Sequence, residues 1–169
     1  YLNVCYPTTA LTITVCNNGC DYTNGQLQQA INAAQPGTTL LLQAGHTYTG
    51  SFTLPAKNGD DGIVIRSNAP DAQLPADDQR ITPAFAPVLP RFESAAGQTA
   101  LTFATGAHHY YLMGLEVTSA GYSFDLIRAG DGTQNDLAAL PHDIVFDRLC
   151  IHGNATLGTK RGIALNSMR

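Results

Sequence analysis

The sequence is poor in charge. Only 13% of its 169 residues are Asp, Glu, Lys or Arg, against about 25% in an ordinary soluble domain. A helix bundle needs such residues on its outer faces, so the deficit argues against one. Basic residues are the scarcer sign: nine Lys and Arg against thirteen Asp and Glu give a net charge of −4. A nucleic-acid binder needs a basic face to neutralise phosphates, and that class is set aside. No apolar run approaches the roughly 20 residues that span a bilayer, and there is no basic amphipathic helix, so no membrane partner is expected. The chain begins at Tyr1 rather than Met, and the lack of a signal peptide is therefore uninformative.

Cysteine is sparse too. Cys5, Cys16 and Cys20 crowd the N-terminus, and Cys150 stands alone. CNNGC (16–20) has no second cysteine pair or nearby His to complete a zinc set. A disulfide is expected among the first three cysteines. Cys16 with Cys20 is the pair taken forward, although spacing alone does not choose it. A disulfide implies an oxidising compartment, extracellular or periplasmic; free buried thiols in a cytosolic protein are the alternative.

What is plentiful is apolar sequence broken by turns. Hydrophobic residues make up 44% and there are sixteen glycines, a texture that favours a turn-rich β protein of one domain. LTITV (11–15) alternates as a strand does. Asp21 or Thr23 can cap a short helix over 24–34, whose Leu27, Ala30, Ile31 and Ala34 share a face before Pro36-Gly37 stops it. Strands follow at 39–43, 47–54 and 62–67. Between 69 and 91 the texture changes: five of the nine prolines fall there, among Asp71, Asp77 and Asp78. Strands of the same kind on both sides make this an excursion over the body rather than a linker. The rhythm then resumes at 100–104, 110–119, 124–130, 143–153 and 162–167.

Two of these segments match each other. HHYYLMGLEVTSA and HDIVFDRLCIHGN superpose with His108 over His142, which sets Leu112 on Phe146, Leu115 on Leu149 and Val117 on Ile151 at an offset of 34 residues. A repeat of that length points to a solenoid of stacked short strands with one narrow core.

The short helix, then PGTTLLLQAGHTYTG, then the strand IVIRS resemble the opening of the right-handed parallel β-helix of the pectate-lyase-like superfamily. GAHHYYLMGLEV and HDIVFDRLCIHGN…RGIALNS are similar to secreted bacterial β-helix proteins of that type. The resemblance implies an all-β fold, a right-handed parallel β-helix with a short N-terminal capping α-helix, in one domain over 1–169. It implies a carbohydrate-active protein that acts on or binds an acidic polysaccharide, as a lyase or a hydrolase. No position matches a catalytic signature of pectate lyases, polygalacturonases or pectin esterases. The chain stops at Arg169 just after a strand, so a longer solenoid or a partner is expected to cover that end. A non-enzymatic adhesin or filament module, self-associating through the last coil, is the alternative function.

If Leu112, Leu115, Val117, Phe146, Leu149 and Ile151 face inward, alternation turns Tyr111, Met113, Glu116, Asp147, Cys150 and His152 outward. Glu116, Asp147, Arg148 and His152 are the candidate catalytic set, with Tyr111 and Arg161 as candidate substrate contacts. A lyase needs a base for the C5 proton and a cation for the uronate carboxylate; a hydrolase needs paired carboxylates. The structural alternative makes Asp147-Arg148 a turn pair, with Arg148 bonding loop carbonyls. GDGTQND (130–136) offers Asp131, Asn135 and Asp136 as calcium ligands, and calcium is the one cofactor so implied, though the loop lacks the twelfth-position Glu of an EF-hand. A plain loop is the alternative. His108, His109 and His142 start equivalent strands; no third and fourth metal partner is evident, so they are read as turn-capping residues. Asn154-Ala155-Thr156 fits a glycosylation sequon, and Cys150 has no base nearby to make it a nucleophile.

Overall fold

The computed structural model describes residues 6–76 and 79–166. Cys5, Asp77, Asp78, Ser167 and Arg169, named above, lie outside the described residues. The chain is mostly strand. β1 (Leu11–Cys16) and β2 (Tyr22–Thr23) lead into α1 (Leu27–Ala33), followed by β3 (Thr38–Leu42), β4 (Thr47–Thr49), β5 (Phe52–Leu54) and β6 (Ile63–Ser67). After the excursion come β7 (Arg91–Ser94), β8 (Leu101–Phe103), β9 (His108–Met113), β10 (Glu116–Ser119), β11 (Ser123–Ala129), β12 (His142–Asp147), β13 (Cys150–Ile151) and β14 (Thr159–Leu165).

These strands form three sheets, ordered β12-β9-β6-β3-β1-β2, β13-β10-β7-β4 and β14-β11-β8-β5. Every pairing between them is parallel. From β3 onward the chain visits the sheets in strict rotation, and each circuit lies beside the one before it. The fold is therefore all-β with three parallel sheets and little helix.

The turns between sheets are made by backbone that leaves the strand conformation. YYLMGLEVTS is one apolar run in sequence but two strands in space, because Gly114 at φ 62° turns the chain from the first sheet into the second. Arg148 makes the matching turn one circuit later at φ 50°, where a non-glycine residue is uncommon. The expected strand over 47–54 divides likewise at Gly50.

The register repeats the offset seen in the sequence. His142 pairs with His108, Phe146 with Leu112, and Ile151 with Val117. Inward side chains stack in ladders, such as Ile13–Leu40–Ile65–Leu112–Phe146 and Tyr48–Phe92–Val117–Ile151. One apolar core draws on all three sheets. α1 contributes Leu27, Ala30 and Ile31 to it. The α-helix is shorter than 24–34, because Asn24–Gln26 is a tighter 3-10 turn. Of the two expected caps, Thr23 serves: its N–H and hydroxyl both donate to Gln26 Oε1, at 3.0 Å each. Asp21 instead accepts from the N–H and hydroxyl of Thr14. Cys16 and Cys20 form a disulfide.

The excursion lies across the outside of the second sheet. Leu74 and Leu89 bury themselves against Met113, with Ile81, Phe85, Val88 and Cys150 around them, as a second apolar cluster. Met113 and Glu116 lie beneath this segment. Both point away from the central core, as the alternation requires, but each is only 4% exposed because the excursion covers it.

Candidate functional site

The second sheet carries the ladder Thr47–Arg91–Glu116–Cys150 on its outer side. Stacking places Arg91, Glu116 and Cys150 one above another, and the excursion roofs them. The result is a pocket of about 260 Å³ lined by Thr82, Pro83, Ala86 and Leu89 from the roof and Arg91, Glu116, Cys150 and His152 from the floor.

Glu116 is the centre of that floor. Its Oε1 accepts from His152 Nε2 at 2.8 Å and lies 3.0 Å from Arg91 Nε as an ion pair. The Arg91 Nε–H is buried and has no well-directed acceptor among the described residues. His152 is half-exposed at the edge of the pocket. Its Nδ1 sits 3.1 Å from the Gly153 carbonyl and 3.4 Å from the Thr118 hydroxyl. That nitrogen either donates to the carbonyl or accepts from the hydroxyl. A carboxylate thus orients an imidazole whose ring edge faces solvent, with a guanidinium alongside. Such a group can accept or deliver a proton and can attract an anion.

Cys150 completes the lining without adding a nucleophile. Burial and then the Glu116 charge push its thiol pKa up, while the Arg91 guanidinium pulls the other way. A thiol held protonated is a poor nucleophile.

The rest of the expected catalytic set lies elsewhere. Asp147 ends β12 in the first sheet, where the Tyr6 hydroxyl donates to it and Arg148 holds it through Nε at 2.8 Å and Nη2 at 2.6 Å. Arg148 Nη1 also lies 3.4 Å from the Pro75 carbonyl. Asp147 and Arg148 therefore tie the N-terminal segment and the excursion to the body. Burial raises the Tyr6 pKa, and its bond to Asp147 raises it further.

Tyr111 is half-buried against Tyr6, with ring centroids 6.2 Å apart. Arg161 belongs to the third sheet. It grips Asp125 through Nε at 2.6 Å and Nη2 at 3.2 Å, while Arg128 Nε lies 3.3 Å from the same carboxylate. Asp125 is 2% exposed, so these two arginines neutralise a buried charge. In the 130–136 loop, Asp131 Oδ1 accepts from Thr133 N–H, the Thr133 hydroxyl and Gln134 Nε2. Asp136 accepts from Ala138 N–H as a cap, and Asn135 is exposed. The loop puts its carboxylates into a turn and a cap.

Arg91 is the member of the site that the sequence did not reveal. It closes the excursion, and only the pairing of β7 between β4 and β10 brings it onto Glu116. The alternation in RFES after Pro90 is the signal that could have marked a strand there.

No protein-family model matches the chain, and no curated protein matches it. Among solved structures, an alginate lyase from Paenibacillus sp. str. FPU-7 superposes with a TM-score of 0.47 at 20% identity. The match covers 71% of this chain and 35% of that one, so the chain spans about a third of that protein's length.

Proposed function

We propose that the chain is a right-handed parallel β-helix, closed at one end by α1, that works outside the cytoplasm on an acidic polysaccharide. The substrate binds at the roofed pocket of the second sheet. The observation that carries this reading is the Arg91–Glu116–His152 constellation. His152 transfers the proton at the pocket edge, Glu116 holds its ring, and Arg91 supplies the cation that a uronate carboxylate requires. Glu116 is the sole carboxylate among the described residues that line the pocket. A hydrolase would need a second one opposite, so the arrangement favours lyase-type elimination. The Cys16–Cys20 disulfide supports an oxidising compartment.

The test is a panel of uronate-containing and neutral polysaccharides, assayed with and without calcium for binding and for unsaturated or reducing ends. Binding and unsaturated ends with the uronates alone support the reading. Neither binding nor product with any of them contradicts it.

A second reading, self-association, rests on a different observation. β12, β13 and β14 each stand last in their sheets. Burial falls off there: Phe146, Leu149 and Ile151 are half-buried and Leu165 is 75% exposed. Open parallel edges over apolar residues suit further coils, whether from more of the same chain or from a second copy. Light scattering across a concentration series tests this, and a strictly monomeric particle at high concentration removes it.

A further inference from the structure

Three side chains from two successive circuits meet at the start of the first sheet. Asp60, in the loop before β6, approaches His108 and His109 at the start of β9, and one ligand atom from each lies within 4.8 Å of the other two. In a regular strand, neighbouring residues point to opposite faces. His109 breaks that rule with φ 56°, a conformation L residues adopt only under constraint. The kink brings both imidazoles to one side, with their Nδ1 atoms 2.7 Å apart.

The device is repeated one circuit on. His142 stacks on His108 with ring centroids 5.1 Å apart and planes 9° from parallel, and Asp143 repeats the kink at φ 50°. Asp143 Oδ2 accepts from or pairs with His142 Nδ1 at 2.8 Å and lies 3.9 Å from His109 Nε2.

Turn capping does not account for this. A capping side chain bonds a backbone group, yet among the described residues the His108 and His109 rings hydrogen-bond only each other. Two facing ring nitrogens can share one proton at most, and a cation placed between them and Asp60 could take the place of that proton. Two imidazoles and one carboxylate suit a borderline divalent metal such as zinc, whereas calcium takes oxygen ligands. Donors on one tetrahedral zinc stand about 3.3 Å apart, given bonds of about 2.0–2.1 Å. The two Nδ1 atoms are nearer than that and the exposed Asp60 carboxylate stands up to 4.8 Å away, so small side-chain rotations of all three set the spacing. Asp143, bonded to His142 and 3.9 Å from His109 Nε2, adds negative charge beside the cluster, which favours a bound cation.

We propose that Asp60, His108 and His109 form a transition-metal site that clips the loop before β6 to the start of β9. None of these residues lines the Glu116 pocket, so the site stands independently of the polysaccharide reading.

The test uses tag-free protein stripped with a chelator and titrated calorimetrically with zinc chloride in a non-coordinating buffer. One zinc per chain is expected, together with a rise in the thermal midpoint. Asp60→Asn should weaken binding at least about tenfold and remove the midpoint rise, and His108→Gln with His109→Gln should abolish both. Asp60→Asn changes an exposed loop residue and carries the test if the double variant does not fold. No zinc uptake at about 100 μM, equal uptake by Asp60→Asn, or calcium binding in place of zinc would each overturn the proposal.

Discussion

Glu116 and His152 are 36 residues apart in the chain and 2.8 Å apart in space. Stacked circuits create that proximity: Glu116 pairs in register with Cys150, and His152 follows two positions later on the same side. Arg91 reaches Glu116 from the preceding circuit, again in register. The pocket floor is therefore a property of the strand ladder, and the excursion supplies its roof.

Glu116 and His152 should separate by kinetic role. Glu116→Gln keeps the shape and one hydrogen bond to His152 but removes the charge that orients it. Product formation from a uronate polymer should fall at least about 100-fold, with affinity kept or tightened because the pocket becomes more positive. His152→Gln should lose product formation and weaken binding as well. Initial rates and KM for the purified variants decide this. A Glu116→Gln protein that turns over normally excludes the carboxylate from the reaction.

Arg161 should behave as a structural residue. Its partner Asp125 is buried and shared with Arg128. Asp125→Asn should cost about 1–3 kcal/mol of stability, because two guanidinium groups lose their counter-charge. Arg161→Gln should cost less, since Arg128 remains. Denaturant unfolding measures both, and polysaccharide affinity should be unchanged in both. A loss of affinity in folded Arg161→Gln would return Arg161 to the substrate.

The excursion rests on a glycine. A Cβ at Gly45 would lie 2.7 Å from the Pro87 carbonyl oxygen, and Gly45 has φ 68°. Gly45→Ala should lift the roof from the pocket and add backbone strain of about 1 kcal/mol. Limited proteolysis should cut within 69–91 faster than in the wild type, while the strand core keeps its circular dichroism. An unchanged cleavage rate would mean that the excursion is held elsewhere.

Alkaline pH should unfold the protein through its buried tyrosines. Burial pushes Tyr48 up to about 12, and burial raises Tyr6 and Tyr110 in the same direction. Tyr48 donates to the Val15 carbonyl and accepts from Gln43 N–H; Tyr110 donates to the Pro55 carbonyl. A group whose pKa is higher folded than unfolded contributes stability that is complete below the unfolded value of about 10. That contribution is lost as pH rises through the folded value. The thermal midpoint should therefore drop steeply between roughly pH 10 and 12, in step with tyrosinate absorbance. A flat midpoint across that window would contradict the burial of these rings.

Much of the fold could be read from local pattern. The match of His108 with His142 and of Leu112 with Phe146 anticipates the observed pairing, because each circuit must present the same inward residues to its neighbour. Turns that break an apolar run were less legible. Gly114 and Arg148 each send one continuous stretch into two sheets, and their positive φ values leave no mark on hydrophobic periodicity. Outward direction was legible for Glu116 and Met113, but their burial was not, since it depends on how a proline-rich segment returns across the sheet. Arg91 and Asp60 were hidden for the same reason. One closes a long excursion and the other sits in a loop, and both reach their partners through contacts between circuits. Asp147 and Glu116 looked alike in sequence, yet they end on different sheets with different partners.

The central claim is that the pocket beneath the excursion recognises an anionic sugar. The most direct measurement is calorimetric titration of wild-type protein and Arg91→Gln with a uronate oligosaccharide and its neutral counterpart. The account predicts binding of the uronate alone, weakened at least about tenfold by Arg91→Gln and progressively by salt. Equal affinity for the neutral sugar, or uronate binding untouched by the loss of Arg91, would contradict it.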